Sequence, residues 1–171
     1  MLSDVDVLNL ALRHIGHQPI ASFTDRSPQA INGRIAWDLV KKEFLGSADW
    51  TFATTYAILQ EFPVANVWEF TYTHLLPVDF ERLVNVEGTQ EVTPYNVITM
   101  DGLRLFASNL PQVRIKYITN NFALSAMSGA ALTAFVAALS LHLDMMLNGS
   151  VNASTLLKFA GESLSTAVRL E

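Results

Sequence analysis

The sequence predicts an α+β fold, a four-helix bundle-like α-helical part with a small antiparallel β module inserted into it. Apolar residues recur at helical spacing towards both ends of the chain. Between Trp68 and Asn120 the texture changes to short β-branched and aromatic runs separated by turn residues. The chain has 171 residues, 50% of them hydrophobic, which suits one core, because a chain of roughly 150 residues buries about 70% of its unfolded surface. The expected organisation is a single domain over 1–171, with helical parts at 1–62 and 121–171 and the β module at about 63–120.

In SDVDVLNLALRHI, residues 3–15, Val7, Leu8, Ala11, Leu12 and Ile15 form an apolar stripe, and Ser3 with Asp6 resembles a capping box. Gly16 ends this helix and Pro19 blocks its resumption. Ser27 before Pro28 is a strong start for a second helix to Ser47, whose predicted core face is Ile31, Ile35, Leu39 or Val40, and Phe44, with Trp37 and Leu45 alongside. Residues 53–62 fit either extended chain or a short helix, closed by Pro63. The runs WEFTYT, RLVNVEG, NVITMDG, LRLFAS and QVRIKYIT read as strands, and Asp101-Gly102 between two of them is the preferred hairpin turn. Helical spacing returns from about Ser125 to Leu147, Asn148-Gly149 breaks it, and Asn152 or Ser154 can cap a last helix to Arg169.

Composition removes several functions. Without cysteine, disulfide scaffolds, cysteine-ligated zinc modules and cysteine nucleophiles are excluded. Eleven scattered basic residues against sixteen acidic ones argue against a dedicated nucleic-acid binder. Met1 to Asp6 lacks the basic region of a secretory signal, so general export is not expected. Phe122 to Leu141 is an uncharged stretch of membrane-spanning length, but its alanines, serines, glycine and threonine favour a central helix that neighbours approach closely.

Candidate chemistry is thin. His14 and His17 are spaced for a metal on one helix face, but Gly16 intervenes and His74 and His142 are remote, so no metal or cofactor is expected. Asp79 and Glu81 could form a carboxylate pair, although an ion pair with Arg82 is the commoner outcome. No Gly-x-Ser-x-Gly elbow or phosphate-binding glycine loop occurs. Asp49-Trp50-Thr51-Phe52 and the period-two aromatics Trp68, Phe70 and Tyr72 suit packing, or a surface for a partner protein.

Several segments, taken in order, resemble the tail tubular protein A and head-to-tail adaptor (connector) family of short-tailed phages. They are Leu8 to Ile20 with its Gly-x-x-Pro turn, Ala48 to Ala53, Tyr72 to Arg82 with its Leu-Pro-x-Asp-x-x-Arg character, Val113 to Ile118, and the alanine-rich Ala130 to Leu143. His17 stands where the family carries an acidic residue. The resemblance implies a structural virion protein of the phage neck, made in the host cytoplasm. It implies a ring homo-oligomer, expected to be a dodecamer, between portal protein and tail nozzle protein, with tail fibres as further candidate partners. DNA would only pass through its channel during ejection, and no membrane would be involved.

No catalytic residue is assigned on this reading. The structural and interface candidates are Trp50, Phe52, Tyr72, Pro77, Asp79 and Arg82, with Leu156, Phe159, Leu164 and Leu170 on a portal-docking last helix. The competing class is a small phage peptidoglycan hydrolase, muramidase-like, drawing its paired carboxylates from Glu43, Asp49, Asp79 and Glu81. A membrane protein using Phe122 to Leu141 ranks last.

Overall fold

The computed structural model describes residues 2–64, 69–87 and 94–171. Trp68 and the Gly88 that closes the RLVNVEG run lie outside the described residues. The chain divides into two compact units, Met1–Phe52 with Phe122–Glu171, and Ala53–Asn121.

The first unit is helical. Helix α1 spans Asp4–His14 and opens with the capping box, in which the Ser3 hydroxyl accepts from the Asp6 amide at 3.2 Å and the Asp6 carboxylate accepts from the Ser3 amide at 2.9 Å. It stops at Ile15, and Gly16 follows at φ +78°, a left-handed conformation that a side chain would strain. Helix α2 spans Pro28–Ser47, with the Ser27 hydroxyl accepting from the Ala30 amide at 3.2 Å. Helix α3 spans Gly129–Leu147, capped in the same way by Ser128, and α4 spans Ala153–Leu170.

These four helices do not make a four-helix bundle, which corrects the expected architecture. In a bundle each helix lends a stripe to one shared seam. Here α1, α2 and α4 all pack on α3, α1 barely touches α2, and α4 packs mainly on α3. The reason lies in α3, whose alanines with Ser140 let neighbours approach closely around much of its circumference, so it is a hub with three spokes. By length and composition α3 could cross a membrane; in this structure half of its apolar window is buried.

The buried face of α2 also differs from the one expected. Ala30, Gly33, Ala36, Trp37, Val40 and Phe44 face inwards, and Ile31, Ile35 and Leu39 are exposed. Gly33 explains part of the shift. A Cβ there would stand 2.6 Å from a Leu8 methyl, so the bare backbone lets α1 come close, a stronger demand than the hydrophobicity of the isoleucines.

An aromatic array fills the space between α2 and α3. Trp37 and Phe44 each meet Phe135 edge-on at 5.3 Å, and Trp50 stacks on Phe44 at 4.4 Å. The Trp50 indole also donates to the Phe44 carbonyl at 2.6 Å, sharing this last-turn acceptor with the Ser47 hydroxyl at 2.7 Å.

Among the described residues the second unit holds seven strands in two antiparallel sheets, where one small module was expected. The strands are β1 (Thr54–Ile58), β2 (Gln60–Glu61), β3 (Tyr72–Leu75), β4 (Phe80–Glu87), β5 (Tyr95–Met100), β6 (Leu103–Ser108) and β7 (Arg114–Thr119). One sheet runs β1-β7-β4 and the other β2-β3-β6-β5. A common core takes Leu59, Leu76, Phe80, Val86, Phe106, Val113, Ile115 and Tyr117 from segments of both. Asp101 and Gly102 join β5 to β6 at φ +50° and +79°, the two left-handed positions that a type I′ turn requires.

Trp50→Ala should cost about 3–5 kcal/mol, the range for emptying a large buried aromatic site. Trp50→Phe, which keeps most of the ring and removes one of two donors to the Phe44 carbonyl, should cost less, about 0.5–1.5 kcal/mol. Urea unfolding of the two variants, followed by far-UV circular dichroism, checks both values and their order.

Candidate functional site

The sequence-predicted residues fall into three places. Trp50 is fully buried in the aromatic array, and Phe52 continues that array to Phe122 at 5.0 Å. Tyr72, Pro77, Asp79 and Arg82 belong to the β unit. Leu156, Phe159, Leu164 and Leu170 belong to α4, where Leu156 is buried on α3, Leu164 is half-buried, and Phe159 and Leu170 are exposed.

In the β unit Asp79 is a structural acceptor. Its carboxylate takes the Thr119 hydroxyl at 2.6 Å and the Tyr117 phenol at 3.2 Å, and its carbonyl takes the Asn120 amide at 2.9 Å. Burial first, and the Asp79 charge second, push the Tyr117 hydroxyl up to about 12, so the phenol stays a donor at any ordinary pH. The Pro77 carbonyl accepts from the Phe80 amide at 3.1 Å and closes the turn into β4. Tyr72 pairs with Ser108 and Arg82 with Ile118 in their ladders. These residues fix how the chain turns into β4.

The remaining acids and histidines are dispersed. Glu43 lies 3.2 Å from His142, and the His14 ring lies 3.3 Å from the Ser140 hydroxyl and edge-on to Phe159. Among the described residues no group of three or more histidines and carboxylates is placed to hold a metal ion. His74 is buried in β3, with one ring nitrogen 3.4 Å from the Pro111 carbonyl and Nδ1 without a partner among the described residues.

A polar cluster at the corner between α3 and α4 was missed by sequence reasoning. Asp144 is wholly buried, yet its carboxylate accepts from the Asn148 side chain at 2.9 Å and from the Asn152 amide and side chain at 2.9 and 3.3 Å. His17 Nε2 donates to Asn148 Oδ1 at 2.8 Å, and its Nδ1 accepts from the Gln29 side-chain amide at 3.3 Å. Burial alone would raise the Asp144 pKa, but the hydrogen bonds from Asn148 and Asn152, with the nearby His17, hold it below the usual carboxylate range. Asn152 therefore serves Asp144 rather than capping α4 with its side chain. The only hint in the sequence is that Asp144, Asn148 and Asn152 recur every fourth residue.

The helical unit presents apolar side chains outwards on two of its helices. On α2 the row Ile31, Ile35, Leu39 is exposed, with Ile35 showing 52% of its surface. On α4 Leu157 shows 62%, and Phe159, Val168 and Leu170 are exposed too, because only Leu156 and Ala167 of that helix are fully covered. Between α3 and the Phe159 side of α4 lies an open groove of about 330 Å³, lined by Gly129, Ala130, Thr133, Phe159, Glu162 and Thr166. Exposed apolar rows on two helices that each pack mainly on a third are the main feature of this unit that its own fold does not use.

The sequence matches no known family model and no curated protein.

Because the folded-state pKa of Asp144 is depressed, its contribution to stability is complete above the unfolded value of 3.8 and is lost as pH falls through the lower folded value. Asp144→Asn should therefore flatten the acid limb of the stability curve while lowering stability at neutral pH. Thermal melts of both proteins from pH 7 down to pH 2 test this, and parallel curves would remove Asp144 from the acid transition.

Proposed function

We propose that this protein is a structural ring subunit of the neck of a short-tailed phage, a head-to-tail adaptor between portal and tail nozzle that continues the DNA channel. The observation that carries the reading is the pair of unlike apolar faces on the helical unit, the α2 row and the exposed shoulders of α4. A closed ring of identical subunits needs two different faces that meet head to tail, whereas a two-fold dimer needs only one self-complementary face. The ordered resemblance of five segments to the adaptor family, stated on the residues above, points the same way.

In this reading the helical unit builds the ring, and the β unit supplies contacts to nozzle or fibres. The chain holds and guides; it does not turn over a substrate. The net charge of −5 suits a conduit, because a positively charged lumen would bind phosphates and slow the passage of DNA. The buried Trp50 and the half-buried Asp79 then shape the subunit.

Light scattering of the purified protein, alone and mixed with a dodecameric phage portal, tests the proposal. Growth to a stoichiometric ring complex on mixing is expected. A protein whose mass is indifferent to portal, and which clears cell-wall suspensions in a turbidity assay, would instead establish the hydrolase reading.

A further inference from the structure

We infer that the two apolar faces are partners for each other across neighbouring copies, with α2 of one subunit lying parallel to α4 of the next. The inference rests on the ring reading for its occupant, a second copy of this chain, and on the residue pattern of the two helices for its geometry.

On α2 the exposed row Ile31, Ile35, Leu39 is flanked by a second exposed row, Arg34, Asp38, Lys42. On α4 the exposed Leu157, whose row continues through the small residues Gly161 and Ser165, is flanked by Lys158, Glu162, Thr166. A helix turns about 100° per residue, so each flanking row is one residue, and therefore one side, away from the apolar row. Viewed from outside with the N-terminus down, the charged row lies to the left on α2 and to the right on α4. The buried faces lie on the opposite sides, to the right on α2 and to the left on α4.

Two helices placed face to face in parallel bring left against right. Charged row then meets charged row, and the side of each helix nearest its own core meets the other. An antiparallel arrangement would set each charged row against the partner's apolar shoulder.

The charges also fix the register. Asp38 and Lys42 are one turn apart with signs minus and plus, and Lys158 and Glu162 are one turn apart with signs plus and minus. Asp38 beside Lys158 puts Lys42 beside Glu162, which gives two opposite-charge pairs, while in this register Leu39 lands between Leu157 and Gly161. Gly161 is otherwise costly, since glycine inside a helix loses about 1 kcal/mol relative to alanine. A Cβ at Gly161 would meet nothing within 4 Å in the subunit, so the fold of one copy does not require glycine there. A leucine from the next copy would.

The chain has no cysteine, so single thiols can report the contact directly. Ile35→Cys and Leu157→Cys are both exposed positions and should leave the fold intact. Mixed at the highest soluble concentration with a short bis-maleimide, the two variants should give a heterodimer, and each alone should give none. Asp38→Lys in the first variant should abolish the heterodimer, and Lys158→Glu added to the second should restore it.

A homodimer of Ile35→Cys as abundant as the mixed product, or no cross-link at all, would overturn the pairing. A cross-link indifferent to the charge exchange would overturn the parallel register. Portal binding without the cross-link would keep the adaptor reading and discard this contact, and a cross-link without portal binding would do the reverse.

Discussion

The helical unit depends on α3 being thin. Ala131, Ala134, Ala137 and Ser140 replace the large side chains a core helix usually carries, and Phe135, Leu139 and Leu143 supply the bulk at selected positions. Neighbouring helices can therefore approach from several directions, and each spoke has a different device for docking. α1 takes the Ser140 hydroxyl of α3 at its Ala11 carbonyl over 3.5 Å, α2 interleaves its aromatics with Phe135, and α4 buries Leu156 and Ala167. Enlarging any of the alanines would overpack a site that has no room, which typically costs about 1–3 kcal/mol. The departure from a bundle follows, since a helix buried on most sides is not one of four equal partners.

The corner after α3 decides what α4 can do. Gly149 and Ser150 both adopt positive φ, and Asp144 collects donors from both sides of the turn, so α4 starts from a tightly specified position. Its far end is held as well, because the Glu171 side chain accepts from the Thr51 amide at 2.9 Å, from the Thr51 hydroxyl and from Ser128. A helix pinned at both ends needs little burial between them. That freedom leaves Leu157 and Val168 uncovered, a state that a helix held by packing alone could not sustain.

Local signals in the sequence reported local structure well. Ser3 with Asp6, Ser27-Pro28 and Asp101-Gly102 each act through backbone groups within a few residues, and each is found in its expected role. Four of the five strand runs likewise appear as β4 to β7, while of WEFTYT only Tyr72 and Thr73 enter β3, and β1 and β2 came from a stretch that fitted two readings. What the sequence could not show was which side of an apolar helix faces inwards. The isoleucine row of α2 is as hydrophobic as its true core face, and the choice is made by Gly33 and Trp37 through Leu8 and Phe135, each on another helix. The Asp144 cluster escaped for the same reason, since its meaning depends on His17 arriving from the other end of the chain.

The candidate contact is weak by design of its residues. Fully burying an aliphatic side chain yields about 1.5–3 kcal/mol, and Ile35, Leu39 and the facing Leu157 begin about half exposed, so their joint gain is of the order of 3–4 kcal/mol. Association costs at least about 4 kcal/mol in lost freedom before any surplus appears. One α2–α4 contact would thus hold two subunits only briefly, and the charged rows beside it keep the free protein soluble. A ring changes this balance, because every subunit then makes the contact twice and the last one closes it intramolecularly at a high effective concentration. A template that gathers the subunits, as a portal would, supplies the same advantage from the first contact onwards. Apolar rows too small for a stable dimer are therefore what an adaptor that assembles only in its place would carry.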